Sequence, residues 1–180
     1  AKSIDKIKSV DFTGNDIDGF EGEEDGTYRG INVETFTLAV NPKLKKYPKA
    51  LADSNSPVSY IILRACGIES IPKGSFVYKN SPALTSLDLS YNKLKDLPYE
   101  MNADNLPYLY GLDVSFNSFS EFPYEPLDCS GLTVYAIRSQ RNEKGERCLR
   151  EWPNGLFNHR GMRGFYIGSN DLRRIDDTIS

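Results

Sequence analysis

The chain has 180 residues, 39% of them apolar and 26% charged, with a net charge of −3 at neutral pH. That length suits one domain of ordinary size, and its acidic and basic residues are mixed, with no basic tract to serve as an electrostatic footprint for nucleic acid. No run approaches the roughly 18 consecutive apolar residues of a membrane-spanning helix.

One phrase recurs from end to end. Residues 7–20 read IKSVDFTGNDIDGF, with apolar Ile7, Val10 and Phe12 before Asn15. Residues 33–48, VETFTLAVNPKLKKYP, repeat it with one residue inserted after Asn41. Residues 58–72, VSYIILRACGIESIP, carry Cys66 in the Asn slot. LTSLDLSYNKLKDLP at 84–98 and LYGLDVSFNSFSEFP at 109–123 fill every slot. LTVYAIRSQ at 132–140 carries Gln140 there, detours through RNEKGERC and resumes with LREWP at 149–153. MRGFYIGSNDLRRID at 162–176 lacks only the Pro. The copies start near residues 7, 33, 58, 84, 109, 132 and 162, in steps of 26, 25, 26, 25, 23 and 30, the last being 23 plus a seven-residue insertion.

The segments between the phrases are short and rich in Pro, Gly, Ser, Asn and Asp, as in KALADSNSP and KGSFVYKNSPA. Each holds an apolar anchor: Leu51, Phe76, Met101, Leu127 or Phe157. They are expected to form turns and short 3₁₀ or extended pieces, with at most a helical turn near 99–105. EGEEDGTYRG at 21–30 reads as a solvated loop. Its Glu23, Glu24 and Asp25 lack the spaced ligands of a calcium loop.

Within each copy the fourth and sixth positions, such as Leu87 and Leu89, are apolar and flank an outward residue, such as Asp88. That alternation predicts a short strand. One unit cannot bury its apolar side alone, but stacked units can. A period of 20–29 residues with L-x-x-L-x-L-x-x-N/C-x-L is the pattern that the chain resembles, and it is the pattern of the leucine-rich-repeat family. The resemblance covers residues 7–176. It implies a single domain over 1–180: an α/β-type repeat solenoid, a leucine-rich-repeat arc with a parallel β-sheet on its concave face and short 3₁₀ or extended segments on its convex face. It also implies that Asn15, Asn41, Asn92, Asn117 and Asn170 form an internal ladder, with Cys66 and Gln140 as tolerated departures. An Asn amide both donates and accepts, and each buried main-chain group left unpaired would cost roughly 1–3 kcal/mol.

The chain offers little for catalysis. His159, its only histidine, sits in a turn without a nearby nucleophile. No Cys/His cluster has metal-ligand spacing, and no phosphate loop or nucleophile elbow occurs. The reading is therefore non-enzymatic, without cofactor or metal. Of the cysteines, Cys66 is expected to be a buried free thiol. A bridge between Cys129 and Cys148 is open, because one precedes a strand and the other follows it.

Recognition remains. The outward rows gather Asp88, Asp113, Tyr91 and Phe116 in the middle of the array, flanked by Arg64 and Arg138, with Tyr60 and Tyr110 on the same face. Aromatic and Arg residues are enriched at binding hot spots. These eight residues are the candidate site for a protein or peptide partner, and the simpler alternative is that they merely pair across strands. Ile61, Leu63, Leu87, Leu89, Leu112, Val114, Ile137, Phe165 and Ile167 are expected inside, Asp88 and Asp113 outside. The insertion 141–147 is expected to be an exposed charged loop, with a second binding role open. A carbohydrate-binding or adhesion surface, and the recognition arm of a larger enzyme, are the other readings. The Leu-Pro repeats and the lack of an Asn-x-Ser/Thr acceptor resemble a bacterial secreted or surface protein, with a cytoplasmic location as the alternative. With no leader and no polar end caps in view, the expectation is a mature or trimmed piece of a longer protein.

Overall fold

The structure, a computed structural model, describes residues 7–27, 31–52, 58–76 and 83–175. Parts of the intervening segments (28–30, 53–57 and 77–82) and the side chains of Ala52 and Phe157 lie outside the described residues.

Seven three-residue strands form one parallel sheet in chain order. They are β1 Ser9–Asp11, β2 Thr35–Thr37, β3 Tyr60–Ile62, β4 Ser86–Asp88, β5 Gly111–Asp113, β6 Val134–Ala136 and β7 Gly164–Tyr166. Each occupies the third to fifth positions of its repeat, and the register runs Phe36 to Ile61 to Leu87 to Leu112 to Tyr135 without slippage. The fixed repeat length produces this: equal steps bring equal positions side by side, and a slip by one residue would turn every core side chain outward.

The inward side chains make one continuous core. Leu63, Leu89, Val114 and Ile137, at the sixth position, are fully buried, and Leu94, Phe119 and Leu149 close the turn behind them. Each such side chain contributes roughly 1.5–3 kcal/mol by leaving water. Tyr135 substitutes for Leu in β6, and its hydroxyl donates to the Pro123 carbonyl at 2.9 Å. Burial pushes that phenol well above its ordinary pKa. The expectation for Phe165 and Ile167 is corrected: both are only half-buried. They sit in the outermost described repeat, where no further described repeat covers them.

The Asn ladder forms behind the strands. Asn92 Nδ2 donates to the Leu63 carbonyl of the preceding repeat at 2.8 Å, and its Oδ1 accepts from the N–H groups of Cys66 and Ile68. Asn41, Asn117 and Asn170 bond in the same way. Gln140 reaches the same groups with a longer arm, accepting from Phe119 N–H and donating to the Val114 carbonyl. Cys66 keeps half the pattern, its thiol donating to the Leu38 carbonyl at 3.0 Å. Asn15 is the exception. It is exposed and bonds only within its own repeat, to the Phe12 carbonyl.

Among the described residues the convex side is turns and three 3₁₀ pieces, Lys49–Ala52, Glu125–Asp128 and Leu156–Asn158. The segment near 99–105 is turns without a helix. Leu51, Phe76 and Met101 are buried and Leu127 is partly buried. Carboxylates tie the convex segments together: Glu23 accepts from the Ala50 N–H, Glu100 from Gly74, and Asp128 from Ala103. The Asp25 carboxylate is turned onto Thr27.

Cys66, Cys129 and Cys148 are free thiols. Cys129 is buried before β6, and Cys148 donates to the Phe119 carbonyl beside the ladder. The insertion is an ordered hairpin. Asn142 Oδ1 caps the N–H groups of Lys144 and Glu146, and Arg141 pairs antiparallel with Arg147. Lys95 meets Glu143 at 2.9 Å. The hairpin lies beside the ladder, where Arg141 Nη1 donates to the Ser169 carbonyl of the next repeat.

Candidate functional site

The turn at the end of each strand decides where the candidate residues point. The eighth position has positive φ in every copy: Gly14 at 74°, then Val40, Ala65, Tyr91, Phe116, Ser139 and Ser169 at 54–60°. This left-handed turn costs an L-residue roughly 1–2 kcal/mol. Six non-glycine residues bear that cost, so strain belongs to the repeat and does not mark a site. The sequence offered one signal of the turn, Gly14 in that slot.

Three copies stabilise the approach to this turn with an aspartate at the fifth position. Asp11, Asp88 and Asp113 each accept, through Oδ1, the N–H two residues on, from Thr13, Ser90 and Ser115 at 2.9, 2.9 and 2.8 Å. An Asp side chain readily makes this local turn. Asp88 and Asp113 are half-buried where the alternation predicted full exposure, and since Asp11 makes the same bond in an outermost described repeat and stays exposed, it is the repeats on either side that cover them. Asp11 also accepts from the Thr13 hydroxyl, and these bonds, the hydroxyl's first, hold its pKa below the ordinary value. Small members of the outward rows are likewise more covered than strand alternation implies. Ala39, Ser90, Ser115, Ala136 and Ser139 are buried, because small side chains sink between bulkier neighbours.

The large members stand out. Tyr91 and Phe116 lie parallel, with ring centroids 4.0 Å apart and an interplanar angle of 12°, and each keeps 40% exposure. The Arg64 guanidinium sits 4.1 Å from the Tyr91 centroid. Phe116 occupies one face of that ring, so Arg64 occupies the other. The sequence-level candidates Arg64, Tyr91 and Phe116 thus form one three-layer stack. Asp88 and Asp113 are direct partners across β4 and β5. Tyr60 and Tyr110 are both exposed, and the Tyr60 hydroxyl pushes the Tyr110 phenol above its ordinary pKa. Arg138 is drawn away from this group, 4.3 Å over the ring of Tyr166, an exposed residue of β7 outside the original candidate set.

A separate cleft of about 800 Å³ runs between Phe122, Tyr124 and the insertion hairpin, lined by Glu121, Arg147 and Arg150. Among the described residues, no cluster of three or more His, Cys, Asp or Glu side chains could hold a metal ion, and no helix is long and apolar enough to cross a membrane.

Comparisons agree with this architecture. The profile described as Leucine Rich Repeat matches residues 83–102. The whole chain aligns with 22% of a leucine-rich repeat protein of Bacteroides thetaiotaomicron VPI-5482, at 41% identity and a TM-score of 0.88. Over 99% of its length it aligns with 31% of a leucine-rich repeat protein of Bacteroides eggerthii DSM 20697, at 39% identity and a TM-score of 0.89. It therefore spans less than a third of either solved structure. The APL1 leucine-rich repeat domain, at 23% identity and a TM-score of 0.62 over 94% of this chain and 42% of its own, is alike in fold. No curated protein matches.

Proposed function

The chain belongs to the leucine-rich-repeat family, and from that premise we propose that it is a non-enzymatic recognition module that binds a protein or peptide segment on its concave face. The observation that carries this reading is the Tyr91–Phe116 stack. The left-handed slot holds Gly, Ala, Ser or Val elsewhere in the chain, yet these two neighbouring repeats place large rings there and leave them 40% exposed. Exposed apolar area forgoes about 25 cal/mol per Å², which a partner covering the rings would recover. Tyr60, Tyr110, Arg64 and the two aspartates border the same surface and supply polar contacts at its rim.

A sugar ring is the second reading, favoured by the same flat apolar surface beside two carboxylates. As the chain spans less than a third of its solved relatives, service as the recognition arm of a larger protein is compatible with either.

The experiment is capture by Tyr91→Ser/Phe116→Ser against the parent chain, with peptide and glycan arrays run in parallel. Loss of peptide capture at near-unchanged melting temperature is expected. Capture that persists, or capture of glycans alone, rules the peptide reading out.

A further inference from the structure

We infer that the segment bound on this face ends there in an aromatic residue, its ring on Phe116 and its terminal carboxylate on Arg141. The inference rests on the peptide reading of the concave face and specifies its ligand.

The row of eighth positions supplies the place for the ring. Arg64, Tyr91 and Phe116 follow one another along the array in layers 4.1 and 4.0 Å apart. Phe116 is the last layer. Its free face looks towards repeats six and seven, and among the described residues no other ring and no cation stacks on it. The next members of the row, Ser139 and Ser169, are too short to stand as high as a ring. Arg138 leaves the row to lie over Tyr166. Strands are about 4.8 Å apart, so one further layer above Ser139 continues the spacing of the stack. Offset-parallel packing is a favoured arrangement for that added ring.

The charge beside this place is positive. Arg141 Nη1 donates to the Gln140 carbonyl at 2.9 Å and to the Ser169 carbonyl at 2.8 Å. Gln140 holds the ninth position of repeat six, and Ser169 the eighth of repeat seven. The guanidinium therefore lies between these repeats at the turn end of the row, not further back along the strands. Among the described residues Arg141 has no ion pair, and its Nε and Nη2 edge has no hydrogen-bond partner. The hairpin carboxylates are engaged elsewhere, Glu143 with Lys95 and Glu146 with Asn142. Arg147, paired with Arg141 across the hairpin, adds to the positive charge. A neutral ring accompanied by a carboxylate complements this corner, and a cationic side chain does not.

A terminal carboxylate fits better than one on a side chain. In an extended segment the residues next to the ring point to the opposite face, and same-face neighbours are about 7 Å away. The α-carboxylate of the last residue instead lies beside its own ring. From a ring above Ser139, the Arg141 guanidinium is no more than about one strand spacing further along the array. Its open edge presents two N–H groups to the two carboxylate oxygens. Capture of a C-terminal carboxylate recurs in peptide recognition.

The test uses acetyl-Gly-Gly-Gly-Trp with a free carboxylate, the same peptide as its terminal amide, and acetyl-Gly-Gly-Gly-Ala with a free carboxylate. Affinities are read from amide shifts in NMR titrations. The first peptide is expected to bind at least tenfold more tightly than either of the others. Arg141→Gln is expected to remove the preference for acid over amide. Ser139→Phe places in this slot the residue that repeat five already carries there. It should fill the added layer and abolish binding at a near-unchanged melting temperature. Equal affinities for acid and amide, or for Trp and Ala, would overturn the inference. So would no binding by the first peptide, binding that survives Ser139→Phe, or an acid preference that survives Arg141→Gln. Should Arg141→Gln fail to fold, the amide peptide and Ser139→Phe decide. An unbiased selection from peptides with free C-termini separates the two levels. Binders that need Tyr91 and Phe116 but do not end in an aromatic residue defeat the ligand assignment and leave the concave reading standing. Binders indifferent to both rings defeat both.

Discussion

Asn92 Oδ1 accepts the Cys66 N–H at 3.0 Å, and that one bond shows how repeats four and three are joined. The same side chain also serves Ile68 and Leu63, so a single amide satisfies main-chain groups of the neighbouring repeat that no strand partner reaches. Replacing Asn92 with Ala orphans these buried groups, each at about 1–3 kcal/mol. A loss on the order of 3 kcal/mol or more in urea unfolding is expected. Asn15→Ala, in an exposed copy with no preceding described repeat, should change stability by less than about 0.5 kcal/mol. Equal effects at both positions would contradict the ladder.

Gly67 provides a steric test. Its φ is +74°, and a Cβ built there would come within 2.8 Å of the Pro42 carbonyl oxygen. Gly145 in the insertion has φ +78° with open space around it. Gly145→Ala should cost about 1 kcal/mol from backbone conformation alone. Gly67→Ala adds a backbone clash and should cost clearly more, on the order of 2–3 kcal/mol. Thermal melts of the two variants decide this, and a smaller loss at Gly67 would mean that the second and third repeats are further apart than described.

The thiols should be countable. Titration in denaturant without reductant is expected to find three reactive groups. In the native protein Cys148, the least buried, should react first. Burial raises the pKa of Cys66 and pushes Cys129 up to about 12, which disfavours their thiolates, and the thiolate is the reactive form. A single reactive group in denaturant would mean that a bridge forms in solution.

The Asp11 carboxyl should titrate below the ordinary aspartate range, because the Thr13 hydroxyl and N–H both favour its ionised form. A lowered folded-state pKa adds stability that is present above the unfolded value and lost as pH falls through the folded one. Thr13→Val removes the hydroxyl bond and keeps the N–H, so the midpoint should rise part of the way back. Carboxyl-carbon NMR titration reads this directly, and an unmoved midpoint would rule the hydroxyl out as the main cause.

The Tyr91–Phe116 stack should contribute only modestly to the fold, about 0.5–1.5 kcal/mol of coupling in a double-mutant cycle. Coupling well above that range would make the rings a staple between repeats and weaken their case as a binding platform.

The repeat arithmetic determined the strand phase and most of the core, and the family pattern that it resembles implied the solenoid and a ladder that Asn15 does not join. Phase and core follow from a fixed period that sets equal positions beside one another, so local spacing already encodes the long-range contacts. Strand alternation ran out at the ends and edges. Phe165 and Ile167 are inward by phase yet half-exposed, because burial there depends on a neighbouring repeat and not on their own. Asp88 and Asp113 are outward by phase yet half-buried, because a repeat on each side covers them, whereas Asp11, with the same turn bond, is exposed. The insertion read as a charged loop, and Asn142 made it a hairpin through bonds that composition does not reveal. Most of the candidate face was legible as a set of residues, but its arrangement was not. In the fold Tyr91 and Phe116 meet ring to ring at their left-handed turns, Arg64 stacks on Tyr91, and Arg138 lies over Tyr166. Side-chain direction at a turn depends on φ and on the residue in the next repeat, and neither is written in the period.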